Sequence, residues 1–175
     1  VIDISGTPTP VLPVVVVMGV AGTGKSTVGR LLAELLAVPF ADADDFHPPA
    51  NIAKMSAGKP LDDADREPWL DAVGAWTAHR GTTGGVVGCS ALKRCYRDRL
   101  RTHNPDVFFL YLHGDPDLIA ARLDGRRGHF MKTGMLRSQL RDLQPLEPDE
   151  RGTAEDVSQA PAVIADRVAA VLRTR

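Results

Sequence analysis

Gly19-Val20-Ala21-Gly22-Thr23-Gly24-Lys25-Ser26 fits the pattern GxxxxGK[ST]. Those residue types at that spacing make a phosphate cradle. Glycines let the backbone wrap a polyphosphate, and the N–H groups of the wrap point inward at a helix N-terminus. Lys25 is placed to reach the β- and γ-phosphates, and the Ser26 hydroxyl to hold Mg2+. A second cluster, Asp42-Ala43-Asp44-Asp45-Phe46-His47, brings three carboxylates and an imidazole into one stretch. Phosphoryl transfer to a hydroxyl needs a carboxylate to orient that hydroxyl and take its proton. It also needs acidic help around the metal. The D-x-D spacing of Asp42 and Asp44 predicts both side chains on one side of an extended backbone. Alone, the acidic stretch serves equally well as a turn capping the next helix. Beside a phosphate loop, the chemical reading is the stronger.

Cations follow. Lys93 and Arg94 close the run Gly88-Cys89-Ser90-Ala91-Leu92-Lys93-Arg94 and open a helix facing the same cleft, the alternative being a solvated basic turn. Arg122-Leu123-Asp124-Gly125-Arg126-Arg127-Gly128-His129-Phe130-Met131 sets arginines between glycines, the composition of a mobile lid over nucleotide phosphates or, alternatively, of a basic surface loop. His129 is either a substrate contact there or a packed lid residue. No acidic residue ends the run before Ser90, so the usual Walker-B aspartate is missing, which argues against motor and AAA-type ATPases. No NKxD element is present, which argues against a GTPase. Asp71-Ala72-Val73-Gly74 matches DxxG but lies in a helical pattern.

These residues need elements to hold them. Val14-Val15-Val16-Val17-Met18 is a short β-branched run, the pattern of a strand buried on both faces. Val28, Leu31, Leu32, Leu35 and Leu36 then recur at helical spacing. Strand candidates are 14–19, 38–42, 85–89 and 107–112, with a weaker one near 153–157. Helix candidates are 25–37, 51–57, 65–79, 94–103, 116–124, 133–143 and 160–172. Strands alternating with helices imply an α/β fold with a parallel sheet covered on both faces, and ligands beyond the carboxyl ends of its strands.

The 175 residues suit one domain, expected over 14–175 behind a flexible leader, 1–13. The chain is 43% hydrophobic and 25% charged with a net charge of −1, so it carries no overall attraction for nucleic acid or an anionic membrane. No apolar run reaches the length of a membrane span, and the leader lacks the basic start and apolar centre of a secretory signal. Cys89 and Cys95 are the only cysteines and read as reduced thiols in a cytoplasmic protein.

Taken together, GVAGTGKSTVG, FADADDFHPPANIAKMSAGKPLDDADREPWL, CSALKRCYRDRLR and GHFM…SQ, in that order, resemble the gluconokinases, a family of P-loop carbohydrate kinases. The resemblance runs from about Val14 to the C-terminus. It implies a three-layer P-loop kinase fold with a five-stranded parallel sheet of order 2-3-1-4-5. It places an acceptor-binding helical insert at about 46–82 and a mobile lid at about 122–134. It also implies Mg-ATP as donor, D-gluconate as acceptor at its 6-hydroxyl, and a homodimer. The product, 6-phospho-D-gluconate, would feed carbohydrate-acid catabolism and the pentose phosphate pathway.

By the same resemblance, Gly19, Ala21, Gly22, Thr23, Gly24, Lys25, Ser26 and Thr27 hold the ATP phosphates. Asp42 and Ser26 support Mg2+, and Asp44 contacts the acceptor hydroxyl. His47, Lys54 and Arg66 belong to the acceptor insert. Lys93 and Arg94 lie beside the acceptor. Arg122, Arg126, Arg127 and His129 form the lid, with Arg126 counted among the catalytic groups beside Lys25 and Asp44. The chain departs from the family pattern at Ala43, where glycine is common, at Gln144, where glutamate is common, and at Lys132-Thr133-Gly134. Two other readings make different demands on the sequence. A shikimate- or adenylylsulfate-type kinase shares the shape but not the 42–70 wording. A non-catalytic nucleotide-binding regulator predicts damage at Lys25, Ser26 or Asp44, all of which are intact.

Overall fold

The computed structural model describes residues 12–124 and 129–174, the side chains of 129–133 excepted. The chain runs β1 (Val14–Met18), α1 (Lys25–Leu36), β2 (Phe40–Asp42), α2 (Pro49–Ser56), α3 (Asp63–Arg80) and β3 (Gly85–Gly88). It continues α4 (Arg94–His103), β4 (Phe108–His113), α5 (Pro116–Asp124), α6 (His129–Asp142), β5 (Gly152–Asp156) and α7 (Pro161–Arg173). The strands form one parallel sheet in the order β2-β3-β1-β4-β5, as the resemblance implies.

β1 is central because every side chain in it is apolar and both faces are covered; its residues are 0–3% exposed. Alternate residues serve opposite layers. Val15 and Val17 join Phe108 and Leu110 under α1, α5, α6 and α7, packed against Val28, Leu32, Ile119, Leu136 and Val168. Val14, Val16 and Met18 join Phe109 and Tyr111 under α3 and α4, packed against Trp69, Leu70, Val73 and Leu100. From β1 the chain goes to β2 and β3 on one side, then to β4 and β5 on the other. Ligands bind in the crevice at such a reversal, at the strands' carboxyl ends.

Element boundaries differ from expectation where local chemistry intervenes. β2 starts at Phe40 rather than Val38. Pro39 has no N–H to give a ladder, although its carbonyl still accepts from Val86 at 2.9 Å. α3 starts at Asp63 rather than Asp65, because Asp62 caps it. Asp62 Oδ1 accepts the Asp65 N–H and Asp65 Oδ2 accepts the Asp62 N–H, each at 2.9 Å, a capping box built from two aspartates. α6 starts at His129 rather than Thr133 and carries Gly134 within it.

Candidate active site

The phosphate loop bridges β1 and α1. Gly22 has φ +86, and a Cβ there would strike Leu123 Cγ at 2.7 Å, so the loop's crest lies tight on α5. Gly24, at φ +88, would place a Cβ with nothing within 4 Å: the loop is open where a polyphosphate needs room. Gly24 is also the N-cap of α1, with no side-chain cap and no acidic residue in the first turn. The helix's first N–H groups and its dipole therefore remain available to an anion. Buried Thr23 locks the loop, its hydroxyl donating to the Val20 carbonyl at 2.9 Å. Thr27 lies exposed in the first turn of α1. Lys25 Nζ donates to the same Val20 carbonyl at 3.0 Å. Burial lowers the pKa of Lys25, while Cys89, Asp44 and Asp42 oppose that shift, so the ammonium faces the D-x-D pair. Burial also pushes the Cys89 thiol up to about 12, which keeps it protonated. The Ala21 N–H donates to Gln139 Oε1 of α6 at 2.6 Å, a tie that sequence reading missed.

Opposite the loop, Asp42 Oδ2 accepts from Ser26 Oγ at 3.0 Å. A hydroxyl and a carboxylate so placed fit Mg2+, which usually takes one or two protein oxygens and completes its shell with phosphate and water. Among the described residues, no cluster of three or more His, Cys, Asp or Glu could form an all-protein cage. The extended D-x-D geometry expected from sequence needs correction. Asp42 is extended, but its Oδ1 accepts the Asp44 N–H at 3.2 Å and turns Ala43–Phe46 into a 3-10 helix. That local side-chain bond outcompetes the strand.

The turn is anchored from α3. Trp69 Nε1 donates to the buried Ala43 carbonyl at 2.6 Å, and the His47 ring stacks on the Trp69 indole, centroids 4.6 Å apart and 10° from parallel. Burial lowers the His47 pKa, the Arg66 charge lowers it further, and Asp44 opposes both. His47 is thus a neutral imidazole between a carboxylate and a guanidinium.

The cations expected at the acceptor differ in how far they are already occupied. Arg66 Nη1 donates to the Leu61 carbonyl at 2.6 Å, and its nearest carboxylate oxygen, on Asp63, is 3.9 Å away. Lys93 sits on Asp63, at 2.8 and 2.9 Å from its two oxygens. Lys54 bonds Asp65 and Asp62, tying α2 to the start of α3. Arg94 is held by three carboxylates: Asp98 at 2.8 Å, Glu147 at 2.9 Å and Asp149 at 2.8 Å. Lys54 and Arg94 are therefore bound up in internal ion pairs, and Arg66 is the cation least engaged by carboxylate.

Sequence reading also missed Arg97, whose side chain is fully buried against Glu150. Its guanidinium donates to Glu150 at 2.6 and 2.7 Å and to the carbonyls of Ala91 and Leu92, both at 3.3 Å, holding the loop that precedes Lys93. Arg122 sits in the last turn of α5 and donates to the Val157 carbonyl at 2.7 Å, beside the loop after β5. Arg126, Arg127 and the His129 side chain lie outside the described residues, as does the leader up to residue 11.

With this geometry in place, comparisons with known proteins agree on one neighbourhood. A family model described as Shikimate kinase matches residues 21–165. The thermoresistant gluconokinase of Escherichia coli K12 is 48% identical over 137 residues, covering 77% of this chain and 78% of that one. The gluconokinase of Gluconobacter oxydans is 46% identical, with 77% of each chain covered. The crystal structure of a gluconokinase from Sinorhizobium meliloti 1021 superposes with a TM-score of 0.84 at 45% identity, covering 95% of this chain and 94% of that one.

Proposed function

We propose that this chain, which belongs to the gluconokinase family within the shikimate kinase-type P-loop proteins, uses ATP to phosphorylate D-gluconate at its 6-hydroxyl. One observation supports this beyond kinship. Lys25 lies within reach of the charge of Asp44, and His47 within reach of the charges of Asp44 and Arg66, which strings the four into a row. One end of the row is the phosphate loop, and the other is a guanidinium whose nearest carboxylate oxygen is 3.9 Å away. That order suits a linear molecule with a reacting hydroxyl at one end and an anion at the other.

In this reading the loop from Gly19 to Thr27 holds the ATP phosphates. Asp44 orients the 6-hydroxyl and accepts its proton as the oxygen bonds to the γ-phosphorus. The bond to the bridging oxygen breaks, and its electron pair leaves with ADP. Lys25 offsets the charge gathering on the transferred group. Ser26 and Asp42 would hold Mg2+, which supplies further charge neutralisation when bound. Arg66 grips the gluconate carboxylate, and two parallel hydrogen bonds suit that pairing. His47 donates or accepts along the polyol chain. By the family resemblance Arg122 and Arg126 are assigned to the nucleotide and His129 to the acceptor. A cytoplasmic homodimer is the setting this reading carries over from the family. Among the described residues, no helix is long and apolar enough to cross a membrane.

The deciding experiment is a coupled ADP-release assay across D-gluconate, D-glucose, shikimate and adenylylsulfate. Gluconate should be turned over and glucose scarcely, because the neutral sugar forgoes the charge-assisted pairing with Arg66. Arg66→Ala should weaken gluconate without improving glucose. Comparable kcat/KM for gluconate and glucose would refute an anion-reading site.

A further inference from the structure

The acceptor end of the row holds a carboxylate that the phosphoryl chemistry does not use. Asp63 opens α3 and accepts two bonds from Lys93, at 2.8 and 2.9 Å, and a third from the Tyr96 hydroxyl. Its side chain is still 59% exposed. The bonds from Lys93 and Tyr96 hold Asp63 below the usual carboxylate range. The bond to Asp63 holds Lys93 above the usual range for an ammonium. Burial, then the bond to Asp63, raises the Tyr96 phenol. At neutral pH the group is an ammonium, a carboxylate and a neutral phenol, with no net charge.

This composition changes what Lys93 can recognise. A substrate carboxylate brought to Lys93 would have to displace the two bonds to Asp63 at 2.8 and 2.9 Å, whereas Arg66 stands 3.9 Å from the Asp63 carboxylate and gives it no hydrogen bond. A hydroxyl meets the opposite situation. Lys93 directs two bonds at Asp63 and lies against Tyr96, so its ammonium presents N–H donors beside the Asp63 and Tyr96 oxygens. Asp63 keeps acceptor capacity, and the Tyr96 oxygen keeps lone pairs. Donors and acceptors side by side, without net charge, match a hydroxyl that both gives and takes. Resting on the gluconate reading above, we propose that Asp63, Lys93 and Tyr96 form a hydroxyl-reading triad for the acceptor, leaving Arg66 alone to bind its carboxylate. The 3.9 Å separation of Arg66 from Asp63 sets which hydroxyls are read. They are the ones beside the carboxylate, on C2 and C3, while Asp44 serves C6 at the other end of the row.

The test measures kcat/KM of the full chain and of Asp63→Asn for D-gluconate and its 2-deoxy, 3-deoxy and 5-deoxy analogues. The parent should disfavour the 2-deoxy or 3-deoxy acid by about tenfold or more, the usual effect of leaving charged hydrogen-bonding groups unpaired. Asp63→Asn should lower gluconate by about tenfold and shrink that discrimination to about threefold or less, leaving the 5-deoxy penalty unchanged. Asp63→Glu, which keeps the charge, should restore part of the discrimination. An Asp63→Asn protein that binds gluconate more tightly would show Lys93 gripping the carboxylate with Asp63 as its competitor, and overturn the proposal. Equal losses for all four acids, with discrimination intact, would reduce Asp63 to a structural part and also overturn it. Absence of gluconate turnover by the parent is a separate result, which removes the underlying reading as well. A thermal melt of each variant shows that the differences are read on folded protein.

Discussion

Changing Glu150 to glutamine removes one charge from a place with no water to replace it. Arg97 and Glu150 have no side-chain exposure, and their two parallel bonds measure 2.6 and 2.7 Å. The isosteric amide keeps the shape but strands a buried guanidinium without its counter-charge, a loss of about 3–5 kcal/mol. For a domain of this size each kcal/mol moves the melting temperature by about 2–4 °C, so Glu150→Gln should melt about 6–20 °C lower. Asp106→Asn serves as the control. Its partner Arg151 is 3.3 Å away, with the two side chains 91% and 44% exposed. An exposed pair of that kind contributes about 1 kcal/mol at most. The loss at Glu150 should also reach the acceptor, because Arg97 fastens the carbonyls of Ala91 and Leu92 ahead of Lys93. The gluconate KM should therefore rise more than the ATP KM. Circular-dichroism melts at pH 7 and initial-rate kinetics measure both. A Glu150→Gln protein melting within about 2 °C of its parent would show that the pair carries little of the fold's stability, against the reasoning from burial.

Lys25→Ala should lower kcat by about a hundredfold or more, since the transferred group loses its cation; near-normal turnover would remove Lys25 from the chemistry. Asp44→Asn should lower kcat far more than it raises the ATP KM, whereas Asp42→Asn should raise the Mg2+ concentration needed for half-maximal rate; reversed phenotypes would exchange the two roles. His47 should titrate by NMR below its ordinary 6.5, and Arg66→Ala should bring it part of the way back. Because the folded value lies below the unfolded one, the neutral ring's contribution to stability is complete above pH 6.5 and is lost as pH falls through the folded pKa. Denaturant melts across that window should show the decline, and a His47 titrating at or above 6.5 would contradict its burial between Trp69 and Arg66.

Contiguous motifs were the legible part of the site. The phosphate loop needs eight successive residues, and Asp42 and Asp44 lie in one turn, so pattern alone reveals them. β1, β3 and β4 were legible for a similar reason, each being a short apolar run, whereas β5, Gly152-Thr153-Ala154-Glu155-Asp156, is mostly polar and gave only a weak signal. Long-range pairing was not legible. Arg94-Cys95-Tyr96-Arg97-Asp98-Arg99-Leu100-Arg101 reads as a solvated charged face, and nothing in it marks Arg97 as the buried arginine. Its partner lies 53 residues away in a loop. Asp62, Asp63 and Asp65 look alike in sequence, yet two of them cap α3 while Asp63 meets Lys93 and Tyr96. Charge type was readable; which charges neutralise each other depends on the fold. The turn at Asp44 escaped because an aspartate bonding the amide two residues on competes with a strand over a free-energy difference too small for sequence pattern to rank.

The sheet divides the protein's packing more sharply than its chain. Val20, Ile119 and Leu123, beneath the nucleotide loop, belong to one core; Ala43, Trp69, Ala91 and Tyr96, beneath the acceptor, belong to the other. Adjacent residues such as Phe108 and Phe109 consequently contribute to different cores, while Val17 and Leu32 contribute to the same one. Leu143 is partly buried against both and marks the seam. Substitutions on opposite sides of the sheet should combine additively, and those within a layer should not. The acceptor half can therefore drift toward a new substrate through its own core while the half that binds ATP stays in register, a separation of inheritance built into the alternation of side chains along five strands.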